Sequence, residues 1–260
     1  AYMVDNVGRL QELAPLGYDV ESMRAAAATV REAPFFGGSM NRRMFEIVED
    51  LTNTYSSPDS LRQLAIAKAR SFEAEDRNRA LATYQLLTSF ADALWTRPGR
   101  TALVWVSTGI KLMQGGPYTA IFAQDPDFQA EGMAGARFDI VSPDAQIHAA
   151  QEALHRAANG SNVSIYSVDP SLLVETRSVA LDIELGRGAA LLSTPAVQQS
   201  LDGLRDSMRM AATETGGKAF IQATDIEMIL DEIEADTSRF YLLSYEPPSL
   251  DGDGDYHEIR

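Results

Sequence analysis

The chain has 260 residues, 45% of them hydrophobic and 23% charged, with a formal net charge of −15. That length suits one large domain or two small ones, and no stretch reaches the roughly 18 consecutive apolar residues of a membrane span. The acidity excludes an unaided nucleic-acid surface and direct docking on anionic lipid, and the absence of cysteine excludes disulfides, thiol catalysis and thiolate metal sites.

Ala1 to Leu13 reads as a short hairpin with Asn6-Val-Gly8 near its turn. Asp19 is an N-cap for a helix running to about Glu32, and Pro34-Phe-Phe-Gly-Gly38 breaks that helix. Asn41 to Tyr55 places Met44, Ile47, Val48 and Leu51 on one helical stripe. Ser57-Pro58 starts a further helical pattern, since proline suits the first helical position. It continues to Trp95 through Leu61, Leu64, Leu81, Tyr84, Leu87, Ala91 and Leu94, with Glu75-Asp76 as the point that would divide it in two. Pro98-Gly99 ends it.

In Thr101 to Gly109, Ala102-Leu-Val-Trp-Val106 is an unbroken apolar run rich in β-formers, the pattern of a parallel strand buried on both faces. Lys111 to Pro143 is rich in Gly, Pro, Asp and Gln, and loops of that length are usually functional or disordered. Asp144 to Asn159 is helical, with Gly160 as its stop. Val163 to Val168 is a second buried strand ending at Asp169-Pro170. Ser171 to Pro195 is a variable segment, Val197 to Thr215 a helix closed by Gly216-Gly217, and Lys218 to Ile221 a short strand. Thr224 to Asp236 is a helix in which Thr224 and Glu227 form a capping box. Arg239 to Tyr245 and Tyr256 to Ile259 are strands around a turn at 247–254. Strand and helix alternate through this half, which calls for an α/β sheet with helices on both faces. Both termini fall inside strand-like runs, so the chain reads as a piece of a longer protein.

The motifs of catalysis are missing. Thr215-Gly-Gly-Lys218 lacks the spacing of a phosphate loop and precedes a strand rather than a helix. Asp251-Gly-Asp-Gly-Asp255 has Tyr256 where a calcium loop needs glycine, and reads as a solvated turn. His148 and His155 share a helix face but stand seven residues apart, too far for a zinc pair. Neither the G-x-S-x-G elbow nor G-x-G-x-x-G occurs, so neither a serine hydrolase nor a dinucleotide enzyme has support. A hydrolase using unrecognised carboxylates is the enzyme reading that remains. Asp169 itself has two readings, a ligand-facing acid at the sheet edge or a turn residue bonding local backbone before Pro170.

In order and spacing, Pro98-Gly-Arg-Thr-Ala-Leu-Val-Trp-Val-Ser-Thr-Gly109, Val163-Ser-Ile-Tyr-Ser-Val-Asp-Pro170, Ala211-Ala-Thr-Glu-Thr-Gly-Gly-Lys-Ala-Phe220, Ser238-Arg-Phe-Tyr-Leu-Leu-Ser-Tyr245 and Gly254-Asp-Tyr-His-Glu-Ile259 resemble the von Willebrand factor A family. The match is to its bacterial VWFA-related group, often seen in Acidobacteria. The resemblance implies a Rossmann-like sheet, mostly parallel with an antiparallel edge hairpin and helices on both faces, in a single domain spanning 1–260. It also implies a helical insertion around 41–97, a long loop around 111–143, and truncation at both ends.

Many members of that family hold Mg²⁺ at the C-terminal edge of the sheet through Asp-x-Ser-x-Ser, a threonine and an aspartate. Here no Asp-x-Ser-x-Ser occurs, and Ser107-Thr108-Gly109 stands where the aspartate would be. The site the resemblance implies is therefore a degenerate metal-ion-dependent adhesion site, with no cofactor. The expected function is a non-enzymatic protein-binding or scaffolding module, periplasmic or extracellular, whose partner is another protein. The long helical region would suit a subunit of a larger assembly. Its contact surface would comprise Ser107, Thr108, Gly109 and Asp169, with Tyr118, Phe122 and Phe128 as exposed aromatic anchors. The alternative is a divalent-cation-dependent adhesion domain whose first-strand ligands lie upstream of residue 1.

Overall fold

A computed structural model describes residues 2–4, 10–12, 25, 36–52, 58–96, 99–110, 112, 116–124, 144–169, 195–221 and 225–238. The expected helix from Asp19, the variable segment from Ser171, both C-terminal strands, Phe128 and the Asp251–Asp255 turn lie wholly or almost wholly outside these residues. Among the described residues the chain is α/β. Strands β1 (Tyr2–Val4) and β2 (Leu10–Glu12) pair antiparallel as a separate two-stranded sheet. A second sheet is parallel, in the order β3 (Thr101–Val106), β4 (Val163–Val168), β5 (Ala219–Phe220). The antiparallel hairpin expected at the edge of the parallel sheet falls in the C-terminal residues not described.

The helices are α1 (Phe36–Thr52), α2 (Pro58–Ala93), α3 (Pro117–Ala120, continued by a 3-10 turn over Ile121–Gln124), α4 (Ala145–Gly160), α5 (Pro195–Glu214) and α6 (Ile226–Ser238). Two expected boundaries move. Helix α1 runs through Gly37-Gly38 instead of starting after them. Glu75-Asp76 does not divide α2, because both acids pair with Arg43 of α1, at 2.6 and 3.1 Å, and so tie the two helices together. Of the described helices, none is long and apolar enough to cross a membrane.

The pleat sorts the strands onto two faces. Val163 and Ile165 of β4, with Leu103 and Trp105 of β3, pack against α2, α4 and α5 around Tyr84, Leu94, Ile147, Leu154 and Met208. On the opposite face Tyr166 and Val168 pack under Ile229 and Ile233 of α6, with Ala102 beside them. Every residue of β4 is buried, and β4 is the central strand. The expectation that Ala102–Val106 is buried on both faces fails: Val104 and Val106 are exposed. Among the described residues no strand borders the outer side of β3.

A second cluster joins Met44, Ile47 and Val48 of α1, Ala65, Ile66 and Ala69 of α2, and Val197 of α5 to Tyr118, Ala120, Ile121 and Phe122. Arg77 of α2 meets Asp144 at the start of α4. The α2 residues before Arg77 therefore stand beyond that end of α4, towards the C-terminal edge of the sheet. With α1 and α3 they form a helical cap. The segment expected as an irregular functional loop supplies part of this cap.

Helix α4 starts where Asp144 accepts from the amides of Gln146 and Ile147 while binding Arg77 at 2.5 Å. Its C-terminal turn closes at Asn162, a non-glycine residue with φ +54°, rather than at Gly160. At α6 the cap is Asp225, which accepts from the amides of Glu227 and Met228, rather than the expected Thr224. One side of α4 carries His148, Gln151 and His155, whose buried side-chain nitrogens (Nε2 in each) find no hydrogen-bond partner among the described residues.

Asp144 and His155 each contribute to the acid stability. Burial acts to raise the Asp144 carboxyl, but the Arg77 hydrogen bond and the two amides outweigh it and hold it below its ordinary value. Its contribution is therefore complete above about pH 4 and is lost as pH falls through the folded value. Burial pushes the His155 ring down, against the raising effect of Glu214 and Glu152. The unfolded chain then takes up that proton first, so stability falls as pH drops below about 6.5. Urea midpoints measured from pH 8 to 3 should show two falling limbs. His155→Leu should flatten the upper limb, and Asp144→Asn, which keeps a capping oxygen but not the charge, the lower.

Candidate functional site

The parallel register sets Val106 beside Val168. The first residues past each strand, Ser107 and Asp169, therefore come side by side at the C-terminal edge, where open α/β sheets generally bind ligands. The ladder continues one step beyond the strands, because the Ser107 amide donates to the Val168 carbonyl at 3.0 Å. Asp169 is anchored from the other side, its amide donating to the Phe220 carbonyl at 2.9 Å.

The turn after β3 is fixed at each residue but Thr108. Ser107 Oγ accepts from the Gly109 amide at 3.1 Å, and the Ile110 amide donates to Ser207 Oγ of α5 at 2.8 Å. Gly109 has φ +100° and lies against the Leu204 carbonyl. Ser107, Thr108 and Gly109 remain half-buried, open enough to be touched.

Asp169 is fully buried, and its Oδ2 lies 3.2 Å from Nε of Arg205. Arg205 also reaches Asp202, one helical turn back on α5, at 3.2 Å. The carboxylate at the sheet edge thus meets a guanidinium from the same chain. Of the two sequence readings of Asp169, neither anticipated this. It is more than a turn residue, and its charge is already paired. Among the described residues no group of three or more acidic or histidine side chains is placed to hold a metal ion.

The aromatic anchors are a correction. Tyr118 and Phe122 are buried in the cap rather than exposed. The Tyr118 ring tilts against Phe72 of α2 with centroids 5.5 Å apart, and Arg43 stacks on that Phe72 at 4.7 Å. Beneath them Glu73, itself buried, accepts from the amide and the hydroxyl of Thr119, holding the first turn of α3. Gly116 lies so close to the Glu73 carboxylate that a Cβ there would overlap it. Aromatics at four-residue spacing in a Gly- and Pro-rich segment form a buried short helix here, so neither offers a surface to a partner. Leu204 connects the two regions: its side chain packs on this cap and its carbonyl borders Gly109.

A second polar network sits nearer the opposite edge. Arg100 donates from Nε to Ser164 Oγ at 2.8 Å and from Nη2 to the Gly216 carbonyl at 2.6 Å. The Tyr166 hydroxyl donates to Asp236. Burial and that bond to a carboxylate push the Tyr166 phenol up to about 12, while the same bond, with Lys218 and Arg100 nearby, holds the Asp236 carboxyl down. This set joins α6 to the base of the sheet.

Sequence reasoning missed Arg205. Its only local signal is the Asp202–Arg205 spacing of a helical ion pair, and its structural partner is 36 residues away. Comparison of the chain with family models, with curated proteins and with solved structures finds no match in any of the three.

Proposed function

We propose that the chain is a non-enzymatic protein-binding module of von Willebrand A type, Rossmann-like in topology and working in the periplasm or outside the cell. Its contact surface is the C-terminal edge of the parallel sheet: Ser107, Thr108 and Gly109 in front, with Asp169 and Arg205 behind them. The observation that carries this reading is the Asp169–Arg205 pair. A buried carboxylate bound to a guanidinium has little charge left for a cation, and it serves neither as a nucleophile nor as a base without losing that partner. The turn in front is rigid, its hydroxyls and backbone presented by strands rather than by a loose loop. Surfaces ordered before binding lose less conformational entropy when a partner docks.

A second reading draws on the closeness of Ser107 to Asp169. Two oxygen-bearing side chains on one sheet edge are a partial set for a hard cation, and acids from an upstream segment would complete a divalent-cation-dependent adhesion site. Here the ion has to displace Arg205.

Thermal unfolding in the presence of Mg²⁺, Mn²⁺ and Ca²⁺ separates the two. The first reading expects no change in the midpoint with any of them. The second expects stabilisation growing with ion concentration, about 2.7 kcal/mol at one hundred times Kd, and its loss in Asp169→Ala. A shift of that kind overturns the metal-free reading.

A further inference from the structure

Helix α4 ends in a dipeptide with a chemistry of its own. Of the six asparagines in the chain, only Asn159 is followed by glycine. In an Asn-Gly pair the glycine amide nitrogen can attack Cγ of the asparagine side chain, because the second residue has no side chain to obstruct the approach. A bond forms from that nitrogen to Cγ, the Cγ–Nδ2 bond breaks, and ammonia leaves with the amide proton, closing a cyclic succinimide. Water then opens the ring at either carbonyl, giving aspartate or isoaspartate. Water is the one co-reactant.

The position of the pair leaves this reaction open. Asn159 and Gly160 are the last two residues of α4, and both are exposed. Helices fray from their last turn, and glycine there weakens it further. Nothing lies within 4 Å of where a Cβ would stand on Gly160, so no neighbour crowds that side of the turn. Other asparagines are held differently. Asn41 and Asn78 lie inside α1 and α2, where the turns on either side fix the backbone. Asn162 precedes the β-branched Val163, and its carbonyl accepts from the Thr101 amide at 3.0 Å.

Asn159 is also a tie between two helices. Its Nδ2 donates at 3.0 Å to the carbonyl of Glu214, the last residue of α5. Carbonyls at a helix C-terminus lack partners within their own helix. Aspartate at 159 has no donor to replace Nδ2, and its charge would face that carbonyl and the negative ends of two helix dipoles. Isoaspartate would also lengthen the backbone just before the Ser161–Asn162 turn, which leads into β4.

We propose that Asn159–Gly160 is a site of spontaneous deamidation, and that the change unties the end of α4 from the end of α5. The site lies at the opposite end of β4 from Asp169. It uses no residue of the contact surface assigned above.

The test is incubation of the folded chain at mildly alkaline pH, followed by peptide mapping with mass spectrometry, beside a synthetic peptide of Arg156–Ser164 treated identically. Frayed ends open at little cost in free energy, so Asn159 in the folded chain should convert within about a hundredfold of its rate in the peptide. Gly160→Ala should slow the reaction by at least about tenfold, in the chain and in the peptide alike. Asn41, Asn78 and Asn162 should stay intact over the same period. Asn159→Asp reproduces one product with nearly the helix propensity of asparagine, and should lower the thermal midpoint by about 2–4 °C. Conversion slower than the stated limit would mean that the end of α4 does not open, and would overturn the proposal. So would equal conversion at Asn162, or a rate indifferent to Gly160→Ala. An unchanged midpoint in Asn159→Asp would refute the untying of the two helices.

Discussion

Phe122→Ala is expected to destabilise the chain by about 3–5 kcal/mol, the usual cost of emptying a buried aromatic site. The side chain is 1% exposed and packed in the cap with Tyr118, Ile121 and Val197. The cap has little freedom to collapse into the vacancy, because α1 is tied to α2 by Arg43 and α3 to α2 by Glu73. Urea unfolding of the two proteins measures the difference directly. A loss under about 1 kcal/mol would mean that Phe122 is not held as described, and would restore it as a surface anchor. The expected loss instead makes any accompanying loss of partner binding a consequence of unfolding.

Gly109→Ala should cost about 3 kcal/mol or more, through two causes acting together. The residue has φ +100°, which strains any side chain, and a Cβ there would overlap the backbone carbonyl of Leu204. That carbonyl belongs to α5 and accepts from Ser207, so it has little room to retreat. Gly99 provides the control. It has φ +88° but nothing within 4 Å of an added Cβ, so Gly99→Ala should cost about 1 kcal/mol, the strain alone. Equal losses at the two sites would show that the turn can move away from α5. The rigidity attributed to the sheet edge would then be lost with it.

How much of this was legible depends on the range of the forces involved. Val163–Val168 was found to the residue, since a run of β-formers between turn residues is a local property. So was the start of the long helix at Pro58, where the fixed φ of proline is local too. The misreadings concern what covers an element. Ala102–Val106 has the composition of a buried strand, and its composition says nothing of whether a neighbour sits over Val104 and Val106. Tyr118 and Phe122 looked like loop aromatics because Pro117–Ala120 is too short to show a helical period, and only the cap around it makes it a helix. At the site, Ser107 and Asp169 came together as the βαβ pattern requires. Arg205 did not, because an ion pair across 36 residues leaves no periodic trace.

Helix α2 has one more effect. Its 36 residues, at about 1.5 Å each, span about 54 Å. Ala65, Ile66 and Ala69 lie in the cap cluster and Ala80, Tyr84 and Ala91 in the main one. Helix α5 repeats the arrangement, with Val197 in the first and Met208 and Ala211 in the second. Opening the cap alone would require both helices to break in mid-course, each losing consecutive backbone hydrogen bonds and creating new frayed ends. The two clusters should therefore exchange their amide hydrogens with similar free energies of opening, as a single cooperative unit. Regulation by detaching the cap is mechanically costly in such a frame.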